Sequence, residues 1–120
     1  MTKVLVVDDE PQIVRALRIN LSARGYEVLT APDGATALRL AADGKPDVVV
    51  LDLGLPDMDG WQALRLIRAD ARAGGLRIVA FTADAMVGDR ERALAGGFDG
   101  YLSKPIDFAT FAESVERYLP

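Results

Sequence analysis

At 120 residues, 50% of them apolar and 27% charged, the chain has the length of one domain with a core of its own, and its composition is not that of a disordered tail. A net charge of −4 argues against a nucleic-acid surface, which needs clustered lysine and arginine. The absence of both cysteine and histidine removes disulfides, thiolate and imidazole metal sites, and any histidine-based catalytic triad.

Met1-Thr2-Lys3 leads straight into a strand, without the apolar segment and cleavage site of a secretion signal. No apolar run approaches the ~20 residues of a membrane span, so a cytoplasmic protein with no membrane contact is expected. From Lys3 to Val7 the run Val4-Leu5-Val6-Val7 reads as a strand buried on both faces, because a strand with one wet face would alternate polar and apolar residues. It ends in Asp8-Asp9-Glu10. Asp9 is placed to cap the helix that follows, with Pro11 tolerated in its first turn. That helix, about residues 11 to 24, puts Ile13, Ala16, Leu17 and Leu21 on one stripe and turns Arg15 and Arg18 away, and Gly25 stops it.

Tyr26 to Thr30 is a short strand of mixed character, which belongs near a sheet edge. Pro32-Asp33-Gly34 punctuates, and Ala35 to Ala42 forms a small helix that ends around Gly44 to Pro46. Val48 to Leu51 is a second unbroken apolar run, with three β-branched residues, and Asp52 closes it. Gly54, Pro56 and Gly60 forbid direct passage into a helix, so Asp52 stands at the mouth of a strand beside a loop. Asp57-Met58-Asp59-Gly60 lacks the earlier acids and the terminal glutamate of a calcium loop and reads as a turn and cap for the next helix.

Trp61 to Ala71 is helical, with Leu64, Ile67 and Ala71 on the inner face, and Gly74-Gly75 ends it. Leu76 to Phe81 is the next strand and finishes in Thr82. In the helix from about Met86 to Ala95, polar Asp89, Arg90, Glu91 and Arg92 outnumber the apolar residues, which predicts the weakest packing of the set. Gly96-Gly97 closes it. Asp99 to Leu102 is the last strand, followed by Ser103-Lys104-Pro105, and a final helix from about Asp107 buries Phe108, Phe111, Val115 and Leu119 at helical spacing. Trp61 and the Phe108/Phe111 stripe are assigned to packing.

Five strands alternating with five helices make an α/β chain, a doubly wound (βα)5 unit over residues 1–120 with one five-stranded parallel sheet. The flavodoxin-like strand order 2-1-3-4-5 puts strands one, three and four, those with the longest apolar runs, in the dry middle. Ligands of such sheets bind outside the carboxyl ends of the strands. Asp8, Asp9, Asp52, Thr82 and Lys104 all fall on that rim.

Carboxylates gathered there repel: two unit charges ~4 Å apart cost about 4 kcal/mol at an effective dielectric near 20. Lys104 supplies one offsetting charge, and the all-oxygen remainder suits Mg²⁺. A carboxylate nucleophile, a divalent ion, an ammonium and a hydroxyl fit phosphoryl transfer. Asp52 is the expected nucleophile, Asp8 and Asp9 the metal residues, and Lys104 and Thr82 the partners of phosphoryl oxygens. No glycine-rich phosphate loop is present, so ATP is not the expected donor.

Four motifs in order at strand ends, Val6-Val7-Asp8-Asp9-Glu10, Leu51-Asp52 with Leu55-Pro56-Asp57-Met58-Asp59-Gly60 behind it, Phe81-Thr82-Ala83, and Tyr101-Leu102-Ser103-Lys104-Pro105, give a resemblance that covers essentially the whole chain. The chain resembles a response regulator receiver domain of two-component signalling, of the chemotaxis-regulator kind. The resemblance implies that Asp52 accepts a phosphoryl group from a phosphohistidine on a histidine kinase or histidine phosphotransfer protein. It implies that Asp9, Asp52 and the backbone carbonyl of Gly54 bind Mg²⁺ directly, with Asp8 acting through water. Thr82 and Tyr101 match the family's switch pair, and Lys104-Pro105 matches a position where the family has a cis peptide. The face of the fourth helix, last strand and fifth helix, with Met86, Val87, Arg90 and Tyr101, would be the output surface toward an unidentified target. The first helix, through Pro11, Ile13 and Val14, would receive the phosphodonor. Asp84 is an acid two residues past Thr82 that could orient or repel a water. On this reading the chain is a signalling phosphoacceptor and not an enzyme with a separate substrate.

The competing reading is a Mg²⁺-dependent aspartyl-phosphate phosphatase. Such an enzyme needs a second acid two residues after the nucleophile, and here that place is Gly54.

Overall fold

The runs Val4–Val7, Val48–Leu51 and Ile78–Ala80 are wholly buried, and they lie beside one another. The computed structural model describes residues 2–73, 75–83, 88–104 and 110–119. In it β1 (Lys3–Val7), β2 (Glu27–Ala31), β3 (Val48–Asp52), β4 (Arg77–Thr82) and β5 (Gly100–Ser103) form one parallel sheet in the order β2-β1-β3-β4-β5. The expected order is the observed one. Strands whose neighbours pair on both edges and whose two faces are covered have no use for polar residues, which is why these runs do not alternate.

Side chains alternate across the sheet all the same. Leu5, Val7, Val49, Leu51, Ile78 and Ala80 face one apolar layer, which α2 (Gly34–Asp43), α3 (Gly60–Ala69) and α4 (Asp89–Ala95) complete. Val4, Val6, Val48, Val50, Val79 and Phe81 face the other, against α1 (Pro11–Ser22) and α5 (Phe111–Glu116). Phe81 meets Phe111 at a ring separation of 6.2 Å. Trp61 packs edge-on to Phe98 at 5.1 Å, as its assignment to packing requires.

Element ends follow local chemistry, with three corrections. Asp33 accepts from Thr36 N–H at 2.8 Å and Asp59 from Gln62 N–H at 2.7 Å, which caps α2 and α3. Gly25 adopts φ +88° and ends α1, a conformation open to glycine without strain. Asp9 does not cap α1: the cap position is Glu10, whose side chain makes no capping bond. Glu10 N–H instead donates to Asp8 Oδ1 at 2.9 Å, a turn that leads into the helix at Pro11, where its start is expected. Tyr26 lies outside β2, because its N–H is taken by Leu21 at the end of α1, 3.3 Å away. After α3 the chain makes a 3-10 turn, Ala71–Ala73, so Ala71 is not part of that helix. As expected, α4 is thinly packed: Ala93 is its one buried residue. The expected starts of the last two helices, with Met86, Val87, Asp107 and Phe108, lie outside the described residues, as do Asp84 and Pro105.

Candidate functional site

All five strands run in parallel, so their carboxyl ends share one edge. Asp8 follows β1 directly and Asp52 is the last residue of β3. By strand alternation both point to the α1/α5 side, with Val6 and Val50 beneath them. Asp8 is 1% and Asp52 6% exposed, and Asp9 stands out in solvent. Oxygens of all three carboxylates come within 4.8 Å of one another. The expected cluster is therefore assembled, from two strand ends and the turn after the first.

Lys104 reaches it from beyond β5. Its backbone N–H donates to Thr82 O at 2.8 Å, which extends the β4–β5 pairing past the strand. Its side chain then passes over Phe81, with Nζ 5.0 Å from the ring centroid. Nζ lies 2.9 Å from Asp8 Oδ2 and 3.6 Å from Asp52 Oδ2. It is also 3.6 Å from Glu10 Oε1, a third acid that the sequence pattern gave no reason to place on the lysine.

The electrostatics follow from burial and crowding. Burial pushes the Asp52 carboxyl above the ordinary carboxylate range; the Gly54 N–H, which donates to its Oδ1 at 3.1 Å, pulls it down, the Asp8 charge pushes it up, and Lys104 opposes. Burial alone would lower the Lys104 ammonium, yet its hydrogen bond to Asp8 and the charges of Asp52, Asp8 and Glu10 prevail and raise it. Lys104 is thus held as a cation among acids. Among the described residues the clustered ligand atoms, from Asp8, Asp9 and Asp52, are all hard carboxylate oxygens, a set that suits Mg²⁺ better than zinc or copper.

The loop after Asp52 is closed at its base. Gly60 N–H donates to Leu53 O at 2.9 Å, and Gly54 pairs with Asp59 in an isolated antiparallel bridge. Among the described residues, a Cβ on Gly54 would meet nothing within 4 Å.

Thr82 and Tyr101 sit on the opposite sheet face from Asp52. Ala80 pairs with Tyr101 and Thr82 with Ser103, so Thr82 is one step beyond Tyr101 on the same side. Both line a cleft of about 300 Å³ together with Gly54, Trp61, Asp89 and Arg92. Tyr101 is half-buried and its hydroxyl oxygen is enclosed without a hydrogen-bond partner among the described residues. Burial, and then the charge of Asp89, hold that phenol above its usual value.

A second link was invisible in the sequence. Asp57, in the loop after Asp52, accepts from Gly34 N–H at 2.8 Å and Ala35 N–H at 3.0 Å, so it caps α2, not the helix that follows it. Its partners are 23 and 22 residues away, beyond any local pattern. Among the described residues no helix is long and apolar enough to cross a membrane.

A parallel doubly wound sheet with an acidic cluster and a lysine at its carboxyl edge defines the class of molecule, and the comparisons give the family. A family model for the response regulator receiver domain matches residues 4–116, and the chain belongs to that family, the receiver domains of two-component signalling. It is 50% identical to the transcriptional regulatory protein KdpE of Mycobacterium tuberculosis, over 92% of this chain and 48% of the relative, so it spans about half of that protein's length. The chemotaxis protein CheY4 of Vibrio cholerae superposes with a TM-score of 0.90 at 32% identity, over 99% of both chains. The receiver domain of the sensor histidine kinase PA1611 of Pseudomonas aeruginosa, solved with a magnesium ion coordinated in its active site cleft, gives a TM-score of 0.86 at 35% identity, over 98% of this chain and 96% of that one.

Proposed function

We propose that residues 1–120 act as one phosphoacceptor unit in which Asp52 receives a phosphoryl group from a phosphohistidine on a histidine kinase or histidine phosphotransfer protein. The observation that carries this reading is the meeting of Asp8, Asp9 and Asp52 within 4.8 Å, with the Lys104 ammonium against two of them. An Asp52 oxygen forms the new bond to phosphorus as the bond from phosphorus to the imidazole nitrogen breaks, and that nitrogen keeps the electron pair. Asp9, Asp52 and the Gly54 carbonyl would hold Mg²⁺, with Asp8 acting through water. Mg²⁺ supplies neutralisation of charge spread over the phosphoryl oxygens and orientation of the group. Lys104 pairs with one phosphoryl oxygen and Thr82 donates to another.

Thr82 moving toward the phosphoryl group would draw Tyr101 into the cleft that both already line, and the α4, β5 and α5 face carrying Arg90 and Tyr101 would report the change to a target. Pro11, Ile13 and Val14 of α1 lie on the Asp8/Asp9 side and would receive the donor. The chain would promote only its own phosphorylation and dephosphorylation, in the cytoplasm, and bind no nucleic acid itself. The PA1611 receiver's magnesium supports the choice of ion.

Labelling with a phosphoramidate or with trifluoroberyllate in Mg²⁺ tests the reading. The parent is expected to label and Asp52→Asn to fail; equal labelling of the two would overturn it.

A further inference from the structure

Resting on that functional reading, we propose that Asp57 is a positioning residue for the site: by tying the β3–α3 loop to the first turn of α2, it holds the Gly54 carbonyl where a divalent cation needs it. The carbonyl belongs to a glycine at which an added Cβ would meet no described atom within 4 Å. Glycine has the widest backbone freedom of any residue, so the direction of that oxygen must be fixed by neighbours. On one side it is fixed: Gly54 N–H is held by Asp52 Oδ1 at 3.1 Å, and the base of the loop is closed by the Gly54–Asp59 bridge and by Gly60 N–H on Leu53 O.

The outer arch of the loop is held by Asp57. Its two oxygens take two separate N–H groups, Gly34 at 2.8 Å and Ala35 at 3.0 Å. These are orphan donors of a helix start, but α2 already has its own cap in Asp33 on Thr36 N–H at 2.8 Å. A helix that needed capping alone would not require a second carboxylate from a loop 23 residues on. The two bonds are better described as a cross-link between loops. Packing at the next residue says the same: a Cβ on Gly34 would fall 2.5 Å from Met58 Cγ and 2.6 Å from its Sδ, so the arch lies against the start of α2 through the Met58 side chain. Mg²⁺ binds oxygens at ~2.0–2.1 Å in a near-ideal octahedron and tolerates little displacement. Loss of the outer tie should therefore be read in the affinity for the ion.

The test is a Mg²⁺ titration followed through Trp61, the chain's single tryptophan, which lines the cleft with Gly54, with calorimetry alongside. Asp57→Ala is expected to weaken Mg²⁺ binding about tenfold, the order found when outer partners of metal ligands are removed, and its phosphorylation rate should return to within about twofold of the parent at saturating Mg²⁺. Asp33→Ala removes a cap from the same helix end without cutting the cross-link, and should keep the parent affinity within about twofold. Asp57→Ala binding Mg²⁺ as tightly as the parent would overturn the proposal, and so would equal weakening by Asp33→Ala. If Asp57→Ala does not fold, Asp57→Asn, which keeps one acceptor oxygen, must show an intermediate loss, and parent-like affinity there overturns the idea. A parent that neither binds Mg²⁺ nor labels at Asp52 would fell the functional reading and this inference together. A parent that does both while Asp57 proves indifferent would fell the inference alone.

Discussion

Lys104 Nζ lies 2.9 Å from Asp8 Oδ2 and 3.6 Å from Asp52 Oδ2, so the ammonium leans on the acid that does not accept phosphate in our reading. The Asp8 side chain is fully buried and that of Lys104 is 9% exposed. Cutting the lysine would leave two buried acids facing each other with Asp9 nearby, and removing one partner of a buried pair is costly because the other charge stays behind. Lys104→Met is expected to lose about 2–3 kcal/mol of stability in a chelator, somewhat less than a fully enclosed pair because Asp9 opens to water. Millimolar Mg²⁺, which would bind the native state alone, should restore part of it. Urea melts of parent and variant with and without Mg²⁺ check this, and equal midpoints in the chelator would contradict it.

Asp52 and Asp57 should tilt the pH dependence of stability in opposite directions. Burial raises the Asp52 carboxyl in the folded state, so the native protein holds that proton more tightly than the unfolded chain. The contribution is present below the unfolded-state value and is lost as pH rises through the raised folded one. Asp52→Asn removes this penalty and should raise stability at neutral pH in a chelator, on the order of 1 kcal/mol. Thermal melts from pH 4 to 8 should show the gain growing with pH. A gain that shrank with pH would reverse the sign argued here.

Asp57 is the opposite case. The N–H groups of Gly34 and then Ala35 hold its carboxyl below the usual range, so its contribution is present above the unfolded-state value and lost as pH falls through the folded one. Asp57→Ala should lower the melting temperature at pH 7 and flatten the acid limb below about pH 4. An acid limb as steep as the parent's would count against it.

The strands β1, β3 and β4 were legible because burial on both faces leaves an unbroken apolar run, and Asp8 and Asp52 were legible because they terminate such runs. The caps Asp33 and Asp59 bind three residues ahead, within the reach of a local pattern. Asp9 is misplaced by that same local rule: an acid shortly before a proline looks like a cap, but the cap position falls on Glu10, whose N–H is taken by Asp8. Glu10 on Lys104, and Asp57 on Gly34, join segments whose spacing carries no periodic signal. They follow only once the sheet order has brought β1, β3 and β5 ends to one edge and laid the β3–α3 loop against α2.

Gly60 and Gly54 flank the same loop and should respond very differently to alanine. A Cβ on Gly60 would stand 2.7 Å from Leu53 Cα and 3.0 Å from Asp52 O, and backbone atoms have no rotamer to escape through. Gly60→Ala is expected to cost about 2–3 kcal/mol. Since the displaced atoms belong to Asp52 and its neighbour, labelling of Asp52 should slow at least about tenfold. At Gly54 a Cβ meets nothing within 4 Å and φ is not positive, so Gly54→Ala should change stability by under about 1 kcal/mol. Denaturant melts and labelling time courses on both variants separate the two, and an unperturbed Gly60→Ala would mean the loop can slide.

Far from the acids, Arg68 in the last turn of α3 gathers three segments. One nitrogen donates to Leu76 O at 2.8 Å, and the other to Gly97 O at 3.3 Å and to Asp99 Oδ2 at 2.7 Å. The same Asp99 oxygen accepts from Ile78 N–H at 2.8 Å. A planar fork can serve these acceptors at once, and a lysine ammonium on a flexible stem cannot hold that arrangement. With the arginine side chain 36% and Asp99 27% exposed, Arg68→Ala is expected to cost about 1–2 kcal/mol, and Arg68→Lys to recover less than half of it. Hydrogen exchange at Ile78 should quicken in both variants, because the carboxylate that accepts its N–H loses its own anchor, while labelling at Asp52 should hardly change. Full rescue by lysine would show that charge alone, and not the fork, holds α3 to the entry of β4.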